Sequence, residues 1–271
     1  MPPARLALYI ATISILGMTA RALLVRPPAL ATALGAFACY LLLLFGGVFV
    51  LRWRVFVDAI VRGPRGARGV VLTFDDGPHP IWTPLVLEVL RRSGVTATFF
   101  LVGRKVEEHP DVVRAILDEG HSLGVHSYEH DRLFALRGAR RVRRDLERGI
   151  ASIEAVAGLR PRLFRPPVGL TNPIIARVAD DLDLAVVGWT IRGHDGWAFA
   201  RTEKVVARIC RGLRHRAIVL LHDAPERGDR EPAAVRALPA IIDAIAAGGF
   251  SVVPLTEWFK LNQSGGDGST T

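Results

Sequence analysis

From residue 70 onward the chain alternates short apolar runs with amphipathic stretches of helical period. The runs at 70–74, 97–102, 122–125, 163–165, 185–189, 217–221 and 250–254 predict seven strands. Between them, 84–92, 110–119, 142–157, 173–182, 202–212 and 233–247 repeat apolar positions at helical spacing, with Pro110 in a first turn. Strand–helix alternation of this kind predicts an α/β domain around a parallel, buried sheet. Ligands are then expected at the carboxyl ends of the strands.

The N-terminal residues follow another pattern. Positions 29–51 are 23 residues without a formal charge, enough to cross a bilayer core. The stretch 6–20 is also apolar, and a snorkelling Arg21 extends it to Val25. We expect a membrane anchor over 1–55, with spans near 6–25 and 29–51 joined at Arg26-Pro27-Pro28, although a single span would also serve. A cleaved signal peptide fits less well, since its apolar core needs only about 7–15 residues and no small-residue cleavage site follows Leu51. A basic Gly/Pro linker is expected at 56–68, the globular domain at 69–259, and a disordered Gly/Ser/Thr-rich tail at 260–271.

Half of the 271 residues are hydrophobic and the mean hydropathy is +0.27, which excludes a disordered or collagen-like chain. The net charge of +9 would suggest nucleic acid, but its location argues otherwise. Residues 1–68 hold eight Arg against Asp58 alone, leaving 27 basic and 25 acidic side chains for the rest. No nucleic-acid partner is expected; membrane lipids are. In a hairpin, Arg5 and the five Arg of 52–68 share one side and Arg21 and Arg26 the other, so the positive-inside rule places the domain at the cytoplasmic face. Cys39 lies in a span and Cys210 is alone in the domain, so no intradomain disulfide is expected.

Chemistry-bearing residues fall at the strand ends. Asp75 and Asp76 close the first strand before Gly77-Pro78; being adjacent, they point to opposite faces and can take separate jobs. His126 and His130, spaced i, i+4, would lie on one side of a helix or helical turn about 6 Å apart. Either pair alone is commonly turn material or a surface accident. Together, two His and one Asp make the three-ligand set with an open position that catalytic zinc sites use. Arg165, Asp195 and His222 follow three further strands. His79, His109, His121, His194 and His215 read as loop or surface histidines, and the Arg-rich run 137–148 as a solvated helix face.

Thr73-Phe-Asp-Asp-Gly-Pro78, His126-Ser-Tyr-Glu-His130, Phe164-Arg-Pro-Pro-Val-Gly169, Asp195 and Ile218-Val-Leu-Leu-His-Asp223 resemble the five ordered motifs of the polysaccharide deacetylase family, the NodB-homology domain of carbohydrate esterase family 4. The resemblance implies a distorted (β/α) barrel of seven or eight strands. It implies metal ligands Asp76, His126 and His130, a catalytic base Asp75 oriented by Arg165, and a general acid His222 held by Asp195. Leu220 would line the acetyl pocket, and the backbone N–H of Val168 would serve the oxyanion. Val168 stands where the family usually has Tyr, and the segment around Asp195, with Arg192, His194 and Trp197, also departs; both departures bear on the substrate groove.

The implied enzyme is a membrane-anchored hydrolase that removes N-acetyl groups from a glycan or a lipid-linked amino sugar. Its cofactor would be a divalent ion, Zn first and Co, Ni or Mn as alternatives. An inert glycan-binding module on the same barrel, and an O-deacetylase or deformylase using the same site, are the competing readings. The family's exported glycan substrates favour the external face, against the charge count.

Overall fold

Residues 1–197 and 199–258 are described by the computed structural model; the expected tail at 260–271 lies outside them. The strands are β1 (Val70–Asp75), β2 (Thr98–Leu101), β3 (Ser122–Val125), β4 (Leu163–Phe164), β5 (Ala185–Val186), β6 (Ile191–Arg192) and β7 (Ala217–His222). All pair parallel, in the order β5-β4-β3-β2-β1-β7-β6.

Strands β5 and β6 occupy opposite edges of this sheet, yet only residues 187–190 separate them. Five peptide steps reach at most about 18 Å, whereas seven flat strands would span about 29 Å from first to last. The sheet therefore curls until its edges approach, giving a distorted, open-sided barrel. Alternation along each strand then sorts side chains. Val70, Leu72 and Phe74 face outward into a core shared with the helices, while Val71, Phe100, Leu163, Val187, Ile218 and Trp258 form a separate apolar cluster inside. That inner cluster floors the barrel beneath the chemistry-bearing residues.

The open side is filled by a segment expected to be a polar linker. Ile60 donates its N–H to Val186 O (2.8 Å) and accepts from Gly188 N (2.9 Å), Thr190 Oγ1 donates to Val61 O (2.7 Å), and Gly63 N donates to Arg216 O (2.9 Å). Val55, Val57 and Ala59 are buried with exposed Asp58 between them, a period-two pattern overshadowed in the sequence by the Gly and Arg of 62–69.

Outside the sheet lie α3 (Trp82–Arg92), α4 (Gly103–Glu108), α5 (Pro110–Asp118), α6 (Ala139–Ala157), α7 (Pro173–Asp181), α8 (Thr202–Gly212) and α9 (Ala233–Ala247), after α1 (Pro3–Leu24) and α2 (Leu30–Phe49). In α6, Val142, Leu146, Ile150 and Ile153 recur at helical spacing on the buried face, and Gly158 at φ 66° ends the helix in the left-handed region. Helix α4 was not anticipated, because only Val106 in its six residues is an apolar anchor.

Two strand expectations need correction. The run 185–189 is a strand for two residues only, because the chain then crosses to the other edge. The run 250–254 is not a strand: Val252 alone bridges Val70, since β2 begins opposite Thr73 and occupies the rest of that side of β1.

Helices α1 and α2 are long and apolar enough to cross a membrane. At about 33 and 30 Å they match a bilayer core. The foot of this hairpin is tied to the domain: Thr171 N donates to Val48 O (3.1 Å), Arg5 Nε donates to Val55 O (2.8 Å), and Arg5 pairs with Asp58 (3.1 Å).

Candidate active site

Thr73 and Asp75 share the inward face of β1 with Val71, so the strand itself aims one carboxylate into the barrel mouth. Arg165, directly after β4, meets it there. Its Nη1 donates to Asp75 Oδ1 (2.6 Å) and Thr73 Oγ1 (2.8 Å), Nη2 to Gly188 O (3.0 Å) and Nε to Val187 O (3.3 Å), and its guanidinium lies 4.1 Å over the Phe100 ring. Arg165 is fully buried, which such complete pairing makes tolerable.

The next residue would point outward if the strand continued. Asp76 instead adopts φ 75°, a left-handed conformation that breaks the alternation and turns its carboxylate toward β3. His126 and His130 converge on it from the loop after β3, with Nε2 atoms 3.5 and 3.1 Å from Asp76 Oδ1. The expected helical turn is absent. Ser127 (φ 65°) and His130 (φ 53°) are left-handed, and Ser127 Oγ accepts the His130 N–H (3.0 Å), so a tight loop brings the rings within 5.0 Å.

The donor set fits a cation. One donor atom from each of Asp76, His126 and His130 lies within 4.8 Å of the others, and all three residues are buried. Asp76 Oδ1 is buried and has no hydrogen-bond partner of good geometry, although His130 Nε2 lies 3.1 Å away, so it is available to a cation. His126 Nδ1 lies 2.7 Å from Arg165 O, which selects the tautomer that donates there and leaves Nε2 free as a ligand. Burial pushes His126 down to about 4, so its imidazole is neutral near pH 7, the state in which it could bind a cation. Burial would also lower His130, yet Asp76 and Glu226 hold it up to about 10. This corner of the site demands positive charge, as a proton or as a metal cation.

His222 ends β7 in register with Asp75. Its N–H donates to Asp195 Oδ2 (2.7 Å) and its Nδ1 lies 3.2 Å from the same carboxylate, leaving Nε2 facing the cleft. Burial disfavours the imidazolium, but Asp195 outweighs it and holds His222 up to about 9. Leu220, two residues earlier on the same inward face, is buried in the cleft wall. Val168 sits at φ 50° in the turn after Arg165, an uncommon conformation for a β-branched residue, and lines the cleft. Trp197 is 67% exposed at the rim. All ten residues singled out from the sequence thus reach one cleft of about 810 Å³ or the groups lining it.

Sequence reasoning missed the supports. Thr83 Oγ1 donates to Asp223 Oδ2 (2.5 Å); burial pushes that carboxyl up to about 7, and a Cβ on Gly77 would lie 2.3 Å from it, so the turn after Asp76 requires glycine. Glu226, 3.7 Å from His130 Nδ1 and paired with Arg132, carries no signal in sequence spacing. His79, His121 and His215 are not ligands of the site: their Nδ1 atoms accept the backbone N–H groups of Ile81, Ala97 and Gly69.

Comparison with known proteins agrees with this geometry. Residues 62–187 match the polysaccharide deacetylase family profile. A chitooligosaccharide deacetylase of Bradyrhizobium sp. (strain ANU 289) is 34% identical over 200 residues, 71% of this chain and 91% of that protein. A peptidoglycan-N-acetylglucosamine deacetylase of Bacillus cereus is 32% identical, over 73% of this chain and 91% of its own length. The solved family 4 carbohydrate esterase from Streptomyces lividans, in complex with acetate, superimposes with a TM-score of 0.62 at 32% identity, covering 69% of this chain and 93% of that one. With its curled parallel sheet, five motif positions and these relatives, the chain belongs to the polysaccharide deacetylase family.

Proposed function

We propose that this protein is a membrane-anchored, metal-dependent deacetylase that hydrolyses the N-acetyl group of an amino sugar. The observation that carries the reading is the buried Asp76–His126–His130 cluster beside a second carboxylate, Asp75, that Arg165 keeps off the ligand set. A divalent ion held there, zinc by the His/His/Asp donor set, would acidify water and polarise the amide carbonyl.

The chain's own groups do the rest. Asp75 accepts the proton of the attacking water, and Arg165 fixes the carboxylate's direction. The Val168 N–H donates to the oxyanion, a contact worth about 3–4 kcal/mol in comparable sites. His222, protonated at neutral pH and steadied by Asp195, passes a proton to the leaving nitrogen, without which an amide cannot expel it. Leu220 packs against the acetyl methyl, and Trp197 offers a sugar platform at the rim. Helices α1 and α2 would hold the domain at a membrane; the arginine count favours the cytoplasmic face, and the family's exported glycan substrates favour the external one.

Metal content and acetate release from an N-acetylated chitooligosaccharide test the division of labour. Asp76→Ala is expected to lose the metal and all turnover, while Asp75→Ala keeps the metal and loses turnover by about 10²–10⁴-fold. Equal metal loss in both variants contradicts the roles. Bound metal in the unaltered chain with no acid released from any acylated glycan would make it a binding module.

A further inference from the structure

The cleft that holds the site is cationic. Arg132, Arg192, Arg201, Lys204, Arg208 and two further arginines line it, against Asp75, Asp76 and Glu226. Glu226 already pairs with Arg132 and Arg227, and Arg201 lies 3.8 Å from Glu203. Among the described residues, Arg192, Lys204, Arg208 and Arg230 face the cleft with no carboxylate within 4.0 Å. Gathering like charges without counter-charges is unfavourable unless a ligand supplies them.

The arrangement is built from secondary structure. Lys204 and Arg208 are spaced i, i+4 on the face of α8 that also presents Val205 to the cleft. Arg208 Nη1 donates to Gly193 O (2.7 Å), which pins its head at the wall. Arg192 comes from β6, its guanidinium 5.5 Å from the Trp189 ring, and its buried Nε has no hydrogen-bond partner. Arg192 is in register with Leu220, two residues from His222. The wall therefore stands on the side of the site where the leaving nitrogen, and so the sugar ring, must lie.

We propose that the acylated amino sugar carries a phosphate, seated between Arg192 and the Lys204–Arg208 face of α8 while the amide lies over Asp75 and His222. This rests on the deacetylase reading and narrows its substrate to a glycosyl phosphate. A neutral glycan would leave these cations unanswered. The phosphate belongs either to a soluble sugar phosphate or to a lipid-linked one; for the second source, Trp189 also walls a second cavity beside Arg52 and Trp53, at the foot of the hairpin.

The test compares N-acetylglucosamine 1-phosphate with the neutral N-acetylglucosamine dimer, using the full-length chain in detergent. We expect kcat/KM to favour the phosphate by about tenfold or more, the scale of one charge-assisted contact. Lys204→Gln and Arg192→Gln should each shrink that ratio severalfold, and raising salt from about 0.05 to 0.5 M should erode it. Equal kcat/KM for the two sugars, or a preference indifferent to both substitutions and to salt, overturns the proposal. Calorimetric binding of the sugar phosphate is read separately. Binding weakened by Lys204→Gln without acetate release upholds the phosphate site and sinks the deacetylase reading; neutral-dimer turnover without phosphate binding does the reverse. Attaching the same sugar phosphate to a polyprenyl chain in vesicles distinguishes the sources, faster turnover assigning the lipid-linked form and equal turnover the soluble one.

Discussion

In the proposed reaction His222 is the residue whose protonation matters most, and its surroundings set a testable pH limit. Burial would empty the imidazole of its proton near neutrality; Asp195 keeps it filled to about pH 9. The pH–rate profile is therefore expected to fall on the alkaline side, above the ordinary imidazole value, and Asp195→Asn to move that limb to lower pH, as measured by acetate release across pH. Because the folded value lies above the ordinary imidazole value of 6.5, the His222–Asp195 pair stabilises the fold fully below that pH and loses its contribution as pH rises through 9. The residue types and spacings of this site are legible in sequence, since Asp75 and His222 close strands and Asp76, His126, His130, Arg165 and Asp195 follow them. The means of convergence are not. Left-handed backbone at Asp76, Ser127, His130 and Val168 sends side chains where regular alternation or a helical turn would not.

At the scale of elements, barrel closure depends on a segment with no regular structure of its own. Ile60 makes both of its backbone hydrogen bonds to the 186–188 stretch, and Gly188 in turn supplies the carbonyl that holds Arg165. Ile60→Pro removes the donor to Val186 and is expected to cost about 1–3 kcal/mol of stability, read as a lower denaturation midpoint. Since Val187 and Gly188 fix Arg165, activity should fall more than the lost stability alone accounts for. A control in the helix layer, Leu146→Ala in α6, should cost about 2–5 kcal/mol while leaving the activity of the folded fraction intact. Long amphipathic helices such as α6, α8 and α9 are readable from periodicity. The two-residue β6 and the short α4 are not, because a period needs more residues than they contain.

For the whole molecule, the hairpin and the barrel are joined by residues that belong to the barrel. Buried Val55 and Val57 contribute about 1.5–3 kcal/mol each, a large share of a typical stability of about 5–15 kcal/mol. A chain shortened to begin at Val50 should fold and bind metal, whereas one beginning at Gly69, where the pattern alone places the domain, should aggregate; gel filtration and thermal unfolding distinguish them. The charge count makes a second prediction at this scale. A C-terminal tag should resist external protease in intact cells, and its cleavage would place the catalytic domain outside.

Alternating apolar runs were sufficient by themselves to determine the α/β class, because period is a local property of the chain; the ordered motifs at strand ends carried the resemblance to the family and named the candidate site residues. Closure of the sheet by residues 55–63, the meeting of Asp76 with the two histidines through left-handed turns, and the cationic wall opposite His222 were decided only in three dimensions. Each arises from groups far apart in the chain, whose separation is set by curvature and backbone dihedrals that no hydropathy pattern encodes.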